Sequence, residues 1–213
     1  MLLNFSEIYK QYASIKPIRG VIHVGAHFGS ESEIYESFNI KDVIWFEALP
    51  KTFTVLNSNV GKLARNSAFN VALSDADGET TFYVTDNGRG NNCSSSILPL
   101  GEHANFYPHV KVVEKLTVQT RRFDSFATEN SFDLSMFNFL NIDVQGAEMH
   151  VIKGMGDLID GFDYVMAEIN EVELYKGGTL ISELQAYLKS RGFDIKEKSM
   201  TKYKWGDALF VRS

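Results

Sequence analysis

The stretch Gly20-Val21-Ile22-His23-Val24-Gly25-Ala26-His27-Phe28-Gly29 decides how the rest of the chain is read. Its first half is short, apolar and β-branched, and it stops in glycine, which is the pattern of a buried strand. Ser30 to Phe38 reads as the helix that follows, with Ser30 as its N-cap. Upstream, Phe5, Ile8, Tyr9, Tyr12 and Ile15 recur at helical spacing, so residues 1–17 are an amphipathic helix that Pro17 ends. Downstream the alternation continues. Asp42 to Phe46 is a strand and Pro50 to Val60 a helix with proline in its first turn. Phe69 to Leu73 is a third strand, Asp75-Ala76-Asp77-Gly78 a turn, and Glu79 to Val84 a strand beyond it. Val110 to Thr120 is a strand and Arg122 to Glu129 a helix. Met136 to Ile142 is a buried strand, with Gly146 to Lys153 as the helix behind it. Phe162 to Ile169 is a strand, and Ile181, Leu184, Tyr187 and Leu188 mark a helix closed by Gly192. Ile195 and Ala208 to Val211 supply two last strands. Strands alternating with helices specify an α/β fold with a doubly wound parallel sheet.

Composition bounds the function. With 213 residues the chain suits one large domain and can bury a full core. A net charge of −6 and the lack of a long basic run argue against a nucleic-acid partner. One cysteine, Cys93, provides neither a disulfide framework nor a thiolate zinc site. No apolar run approaches the ~20 residues of a membrane span, and the first residues do not read as a signal peptide. These readings predict a soluble, cytoplasmic protein, with the chain standing alone or as part of a larger one.

In such a sheet, ligands sit outside the carboxyl ends of the strands at the switch point. Three strand ends carry suitable chemistry. Around Val24, Gly25, Ala26, His27 and Gly29, glycines let a ligand approach the backbone, although a tight structural turn reads the same way. Glu47, with Ala48 after it, ends the second strand roughly 20 residues past the glycine turn, where a carboxylate accepts both hydroxyls of a ribose. Together these features indicate a nucleoside-containing cofactor, adenosylmethionine or a dinucleotide. Asn141-Ile142-Asp143-Val144-Gln145-Gly146-Ala147-Glu148 forms the third site, with Asp143 delivered to the pocket side. Glu148 and His150 lie within the helix, where packing roles compete. In Glu168-Ile169-Asn170, period two puts Glu168 and Asn170 on the same side. With Asp143 they offer three oxygen donors to a divalent cation such as Mg²⁺ or Mn²⁺, or else form a hydrogen-bonded polar cluster. The segment Thr85 to His109 is a long Gly-, Asn- and Ser-rich loop of the kind that carries function.

At these positions the chain resembles the FkbM family of methyltransferases. The matches are His23-Val24-Gly25-Ala26, Phe46-Glu47-Ala48-Leu49-Pro50, Ala72-Leu73-Ser74-Asp75-Ala76-Asp77-Gly78 and Ser94-Ser95-Ser96. The most specific are Ile142 to Glu148 and Lys153-Gly154. Gln145 stands where the family usually has Glu. The resemblance spans roughly residues 20 to 211 in one order, which makes it stronger than any single motif.

The resemblance implies one methyltransferase domain over 1–213, with a seven-stranded, mostly parallel class I sheet of Rossmann-like type and an antiparallel last strand. It implies an S-adenosylmethionine-dependent O-methyltransferase. Gly25 and its neighbours would pass under the methionine, Glu47 would hold the ribose, Ala72 would flank the adenine, and Asp143 and Val144 would lie near the reacting end. The stretch Met200-Thr201 to Trp205-Gly206-Asp207-Ala208-Leu209 is similar to a subgroup associated with glycan pathways, which implies a sugar hydroxyl as acceptor and a place in a larger glycan-synthesis protein or pathway. Asp143, Glu168 and His150 are the candidate bases, with Asp143 and Glu168 favoured by their place at strand ends. The loop 85–109 would form a lid. Its Ser95, His103, Phe106, Tyr107 and His109, together with Gln145 and Asn170, would contact the acceptor. The competing readings are an NAD(P)-dependent oxidoreductase on a similar sheet and a non-catalytic nucleotide- or sugar-binding module.

Overall fold

Period-two alternation along the strands builds two cores, one on each face of a central sheet. The protein is described by a computed structural model covering residues 2–213. Its elements are α1 (Phe5–Tyr12), β1 (Gly20–Val24), α2 (Ser32–Ser37), β2 (Asp42–Phe46), α3 (Pro50–Val60), β3 (Asn66–Phe69), β4 (Ala72–Leu73) and β5 (Gly78–Asp86). There follow α4 (His103–Phe106), β6 (Lys111–Arg121), α5 (Phe123–Glu129), β7 (Phe139–Ile142), α6 (Glu148–Met155), β8 (Tyr164–Asn170), α7 (Ile181–Ser190), β9 (Phe193–Met200) and β10 (Trp205–Arg212). Val21, Val43, Trp45, Phe139, Tyr164, Met166 and Leu209 point to one face and pack with Phe5 of α1, Tyr35 of α2 and Leu56 and Val60 of α3. Their sequence neighbours Ile22, Ile44, Phe46, Leu140, Val165, Ala167 and Ala208 point to the other face. There they meet Phe126 of α5, Val151 and Ile152 of α6, and Leu184 and Leu188 of α7. Both faces of the sheet are covered, as parallel strands require.

The seven-stranded sheet runs β3-β2-β1-β7-β8-β10-β9. β1 pairs in parallel with β2 and with β7, while β10 is antiparallel to both β8 and β9. The chain therefore winds outward from β1 in one direction and resumes at β7 on its other side. The crevice between the ends of β1 and β7 is the switch point where a ligand is held. A second sheet, in the order β4-β6-β5, stands beside it.

Several boundaries differ from the sequence reading. The run from Phe69 to Leu73 is not one strand. β3 ends at Phe69 in the large sheet, and Ala72–Leu73 pairs with Thr120 and Arg121 in the small one. Asn70 makes the break, donating from Nδ2 to the carbonyls of Glu47 (2.8 Å) and Ala48 (3.0 Å). Ser30 does not cap α2, which starts at Ser32 after a turn closed by Ser32 N–H on the Gly29 carbonyl (3.1 Å). The first helix stops at Tyr12, well before Pro17, and Ile15 is 74% exposed. Among the described residues no helix is long and apolar enough to cross a membrane.

Candidate functional site

Two adjoining clefts open at the switch point. The first, about 600 Å³, lies over the ends of β1 and β2 and is lined by Gly25, Glu47, Ala72, Phe82, Ser95 and Val144 among others. Gly25 has φ +80°, which favours glycine, and a Cβ there would stand 1.9 Å from the Asp143 carbonyl oxygen. The β1 and β7 turns are thus pressed together, and the Asp143 N–H donates to the Val24 carbonyl at 2.9 Å. Glu47 is buried, with one carboxylate oxygen accepting from His27 N–H (2.9 Å) and the other from Leu49 N–H (2.8 Å). Burial pushes its pKa up, while the two backbone donors and nearby His27 pull against that shift. Each of its oxygens keeps a lone pair. The flanking Val71, Leu73, Phe82 and Ile97 make an apolar slot, so a carboxylate for sugar hydroxyls lies beside room for a flat base.

The second cleft, about 1210 Å³, is walled by Tyr107, Tyr175, Trp205, His103, Glu31 and Glu168 among others. Four residues line both clefts: His27, Cys93, Asp143 and Gln145. His27 Nε2 lies 2.8 Å from Asn92 Oδ1 and 3.8 Å from Cys93 Sγ. The Cys93 sulfur, with help from Asn92 and Glu47, outweighs partial burial and pushes the imidazole pKa up to about 9. Gln145 is held at φ +58°, a left-handed conformation at the turn after β7. Its Nε2 donates to Asp143 Oδ1 (2.6 Å) and to Glu168 Oε2 (2.8 Å), while its Oε1 accepts from the Tyr175 hydroxyl (2.7 Å). The Ser96 hydroxyl donates to the Gln145 carbonyl at 2.8 Å. One amide therefore ties together the ends of β7 and β8, the long loop and the segment around Tyr175. Burial, then Asp143, Glu148 and Asp207, hold the Glu168 pKa well above its ordinary value. The Glu148 pKa is pushed up to about 8, chiefly by burial, although its Oε1 accepts from Gly146 N–H (3.1 Å).

The long loop is strapped down beside the second cleft. Gly101 and His103 N–H both donate to the Leu174 carbonyl (2.7 and 3.1 Å), and Lys176 N–H donates to Pro99 (2.8 Å). The loop supplies Asn92, Cys93 and Ser95 to the first cleft and His103 and Tyr107 to the second. Trp205 Nε1 donates to the Tyr107 hydroxyl at 2.8 Å, which fixes two aromatic faces of the second cleft.

Of the residues singled out in the sequence, Val24, Gly25, Ala26, His27, Glu47, Ala48, Ala72, Asp143 and Val144 all line one cleft or both. Other expectations need correction. Gly29 is a packing glycine: a Cβ there would meet Leu56 Cδ1 at 2.7 Å on α3, away from both clefts. Ser95 lines the first cleft and not the second, and its hydroxyl accepts from Thr85 N–H (2.9 Å) and donates to the Asn92 carbonyl (2.6 Å). Asn170 is buried behind Glu168, with Nδ2 3.5 Å from Glu168 Oε1, so it backs Glu168 and does not reach an acceptor. His150 pairs with Asp75 at 3.1 Å outside both clefts and cannot serve as the base. The proposed cation position between Asp143, Glu168 and Asn170 is taken by the Gln145 NH₂, a donor that such an ion could not share. No cluster of three His, Cys, Asp or Glu suited to a metal occurs among the described residues. His23 is structural. It is buried against Tyr35 (Nδ1 to hydroxyl 3.2 Å) and stacked on Trp45, and burial lowers its pKa. Asn92, Tyr175 and Trp205 are site residues that the motifs did not reveal.

Comparison with known proteins agrees with this geometry. Over 178 residues, 80% of this chain and 72% of the relative, the sequence is 29% identical to the 2-O-methyltransferase NoeI of Sinorhizobium fredii (strain NBRC 101917 / NGR234). Among solved structures, M. capricolum TrmK in complex with S-adenosyl-homocysteine is similar with a TM-score of 0.51 at 11% identity, over 100% of this chain and 70% of that one. The methyltransferase domain of bacterial CtHen1-C is similar with a TM-score of 0.50 at 8% identity, over 98% and 96%. At such identities these two structures establish a shared fold and nothing finer. The model of the methyltransferase FkbM domain matches residues 23–195, from β1 into β9. A family match that covers most of the residues, on a class I sheet with a cleft at its switch point, places this chain in the FkbM family of S-adenosylmethionine-dependent methyltransferases.

Proposed function

We propose that the chain transfers the methyl group of S-adenosylmethionine to a hydroxyl oxygen of a saccharide. The observation that carries this reading is the position of Asp143, on the wall common to the two clefts. The first cleft suits the cofactor, with Glu47 for the ribose and the apolar slot for the adenine. When bound, S-adenosylmethionine supplies a methyl group already activated for displacement, so orientation of the incoming oxygen carries much of the rate. A sugar hydroxyl is barely acidic, and a base within reach assists its attack. Asp143 Oδ1 is engaged by Gln145, and among the described residues Oδ2 has no hydrogen-bond partner. Oδ2 is thus the atom that takes the hydroxyl proton. Glu168, whose pKa burial holds well above its ordinary value, has its oxygens engaged by Gln145 and Asn170 and acts as part of the polar frame, so the base assignment narrows to Asp143. Tyr107, Tyr175 and Trp205 provide apolar ring faces for a sugar, and no Lys or Arg lines either cleft to demand an anionic acceptor. The printed name of the bacterial relative, a 2-O-methyltransferase, points the same way.

The test is methylation of a panel of glycans followed by mass spectrometry of the products. A methyl ether is expected, and Asp143→Asn should lower kcat by about 10²–10⁴-fold with affinity for S-adenosylhomocysteine within about threefold. Methylation on nitrogen or carbon, or an undiminished Asp143→Asn enzyme, would overturn the proposal.

A further inference from the structure

His103 is placed oddly for a residue on a surface loop. It opens the short α4, is 6% exposed, and lines the second cleft without reaching the first. Its ring stands near Tyr107 (centroids 4.9 Å) and Tyr175 (5.6 Å), two of the aromatic walls. Nε2 lies 3.1 Å from Ser94 Oγ, and the Ser94 carbonyl is in turn 3.3 Å from the Tyr175 hydroxyl that grips Gln145. The imidazole is therefore oriented by the same network that fixes Asp143. Nδ1 is buried and has no hydrogen-bond partner among the described residues. Buried polar atoms in folded proteins nearly always have one, so an orphan on the wall of a ligand cleft calls for a ligand atom.

The chemistry of that atom follows from the ring. Burial, aided by His109, lowers the pKa of His103, which leaves the imidazole neutral at neutral pH. If Nε2–H donates to Ser94, Nδ1 offers a lone pair; if the Ser94 hydroxyl donates to Nε2, Nδ1 carries the hydrogen. A hydroxyl, donor and acceptor at once, satisfies Nδ1 in both cases. A carboxylate or phosphate satisfies it in only one, and would also face Glu31, Asp143 and Glu168 across the cleft.

We propose that His103 is an acceptor-binding residue whose Nδ1 exchanges a hydrogen bond with a saccharide hydroxyl other than the one methylated. The assignment of a second hydroxyl follows from position: the reacting oxygen must sit at the common wall by Asp143, and His103 does not line that wall. The saccharide reading of the second cleft underlies this assignment. His103 would thus select acceptors by the hydroxyl they present away from the reaction centre.

Two substitutions separate the atoms. The amide of Gln reaches the place of Nε2, so His103→Gln keeps the Ser94 contact and removes Nδ1. The amide of Asn reaches the place of Nδ1, so His103→Asn does the reverse. The probes are a panel of neutral hexose and deoxyhexose glycosides, assayed with S-adenosylmethionine. For each glycoside that is methylated, His103→Gln should raise the acceptor KM about tenfold or more, and His103→Asn should restore it to within about threefold. The KM for S-adenosylmethionine should not move in either variant. An unchanged acceptor KM in His103→Gln, or equal rises in both variants, overturns the assignment while leaving methyl transfer intact. If no glycoside is methylated although S-adenosylhomocysteine binds, the saccharide reading fails and this assignment with it. A second measurement needs no variant: in ¹⁵N-histidine-labelled wild-type protein saturated with S-adenosylhomocysteine, a turned-over glycoside should shift the His103 Nδ1 resonance. A resonance that stays fixed at saturating glycoside overturns the proposal.

Discussion

Replacing Glu47 by Gln tests the cofactor cleft at its most constrained side chain. The wild-type carboxylate accepts from two backbone donors, His27 N–H at 2.9 Å on one oxygen and Leu49 N–H at 2.8 Å on the other. A glutamine has one oxygen, so its NH₂ must face one of those N–H groups and leave it unsatisfied in a buried place. That costs about 1–3 kcal/mol of stability. Ribose recognition loses a charged acceptor, worth about 1.5–3 kcal/mol, so affinity for S-adenosylhomocysteine should fall about 10- to 150-fold. The pH dependence adds a second signature. Burial raises the pKa of Glu47 above its ordinary value of 4.5. For the ligand-free protein, the stability linked to this group is present below the unfolded-state pKa and is lost as pH rises through the raised folded value. Ribose hydroxyls prefer the ionised form, so ligand affinity should rise with pH across that same window in the wild type and stay flat in Glu47→Gln. Calorimetric titration with S-adenosylhomocysteine from acid to neutral pH reads both effects. A dissociation constant within twofold of wild type, with the same pH slope, would falsify the ribose role of Glu47.

Two further perturbations probe the frame around the site. Gly25→Ala forces an L-residue to φ +80° and drives a methyl group to 1.9 Å from the Asp143 carbonyl oxygen. The left-handed backbone alone costs about 1–2 kcal/mol, and separating the β1 and β7 turns brings the loss to about 3 kcal/mol or more. Thermal unfolding should then occur about 6–12 °C lower, and a melt within about 2 °C of wild type would show that the two turns are not locked. Exhaustive chelation should leave turnover unchanged, because the Gln145 amide already bridges Asp143 and Glu168. A loss of activity restored by Mg²⁺ or Mn²⁺ would mean that this amide swings away in the working enzyme.

The layers of the fold were legible because burial on both faces forces period two into the strands, and helical spacing into α3 and α7. β2 and α3 have the bounds that apolar patterning and Pro50 predict. The break between Phe69 and Ala72 was not legible, since Phe69-Asn70-Val71-Ala72-Leu73 has a good strand composition. What splits it is one side-chain amide, Asn70, gripping backbone far away in sequence. The two glycines of the first turn teach the same lesson. Gly25 and Gly29 look alike on paper, yet one is required by the neighbouring turn and the other by α3. At the site, period two correctly put Glu168 and Asn170 on one side of β8. It could not show that Gln145 adopts a left-handed conformation and places a donor where a metal was expected. Tyr175 escaped notice for a similar reason. It lies in no motif, and the contacts that define it join positions 94, 145 and 175 across the fold.

The acidic residues beside the clefts divide by what they can touch. Glu148, Asp207 and Glu168 are 0%, 1% and 6% exposed, and burial pushes the pKa of each upward. Asp207 is spanned by the N–H groups of Leu2 and Leu3, and Glu148 by that of Gly146, so both are spent on holding the chain in place. With their pKa values raised, each proton these groups take up relieves their mutual repulsion, which is cheaper than keeping several buried charges ionised without a cation. Gln145 completes the arrangement. As a neutral donor it satisfies Asp143 and Glu168 together without adding a further acid to the cluster, as a glutamate at that position would. The consequence is a division of labour along one hydrogen-bonded row. Glu168 anchors the amide, the amide orients Asp143, and of these two acids only Asp143 lines both clefts, which is the place the proposed methyl transfer requires of its base.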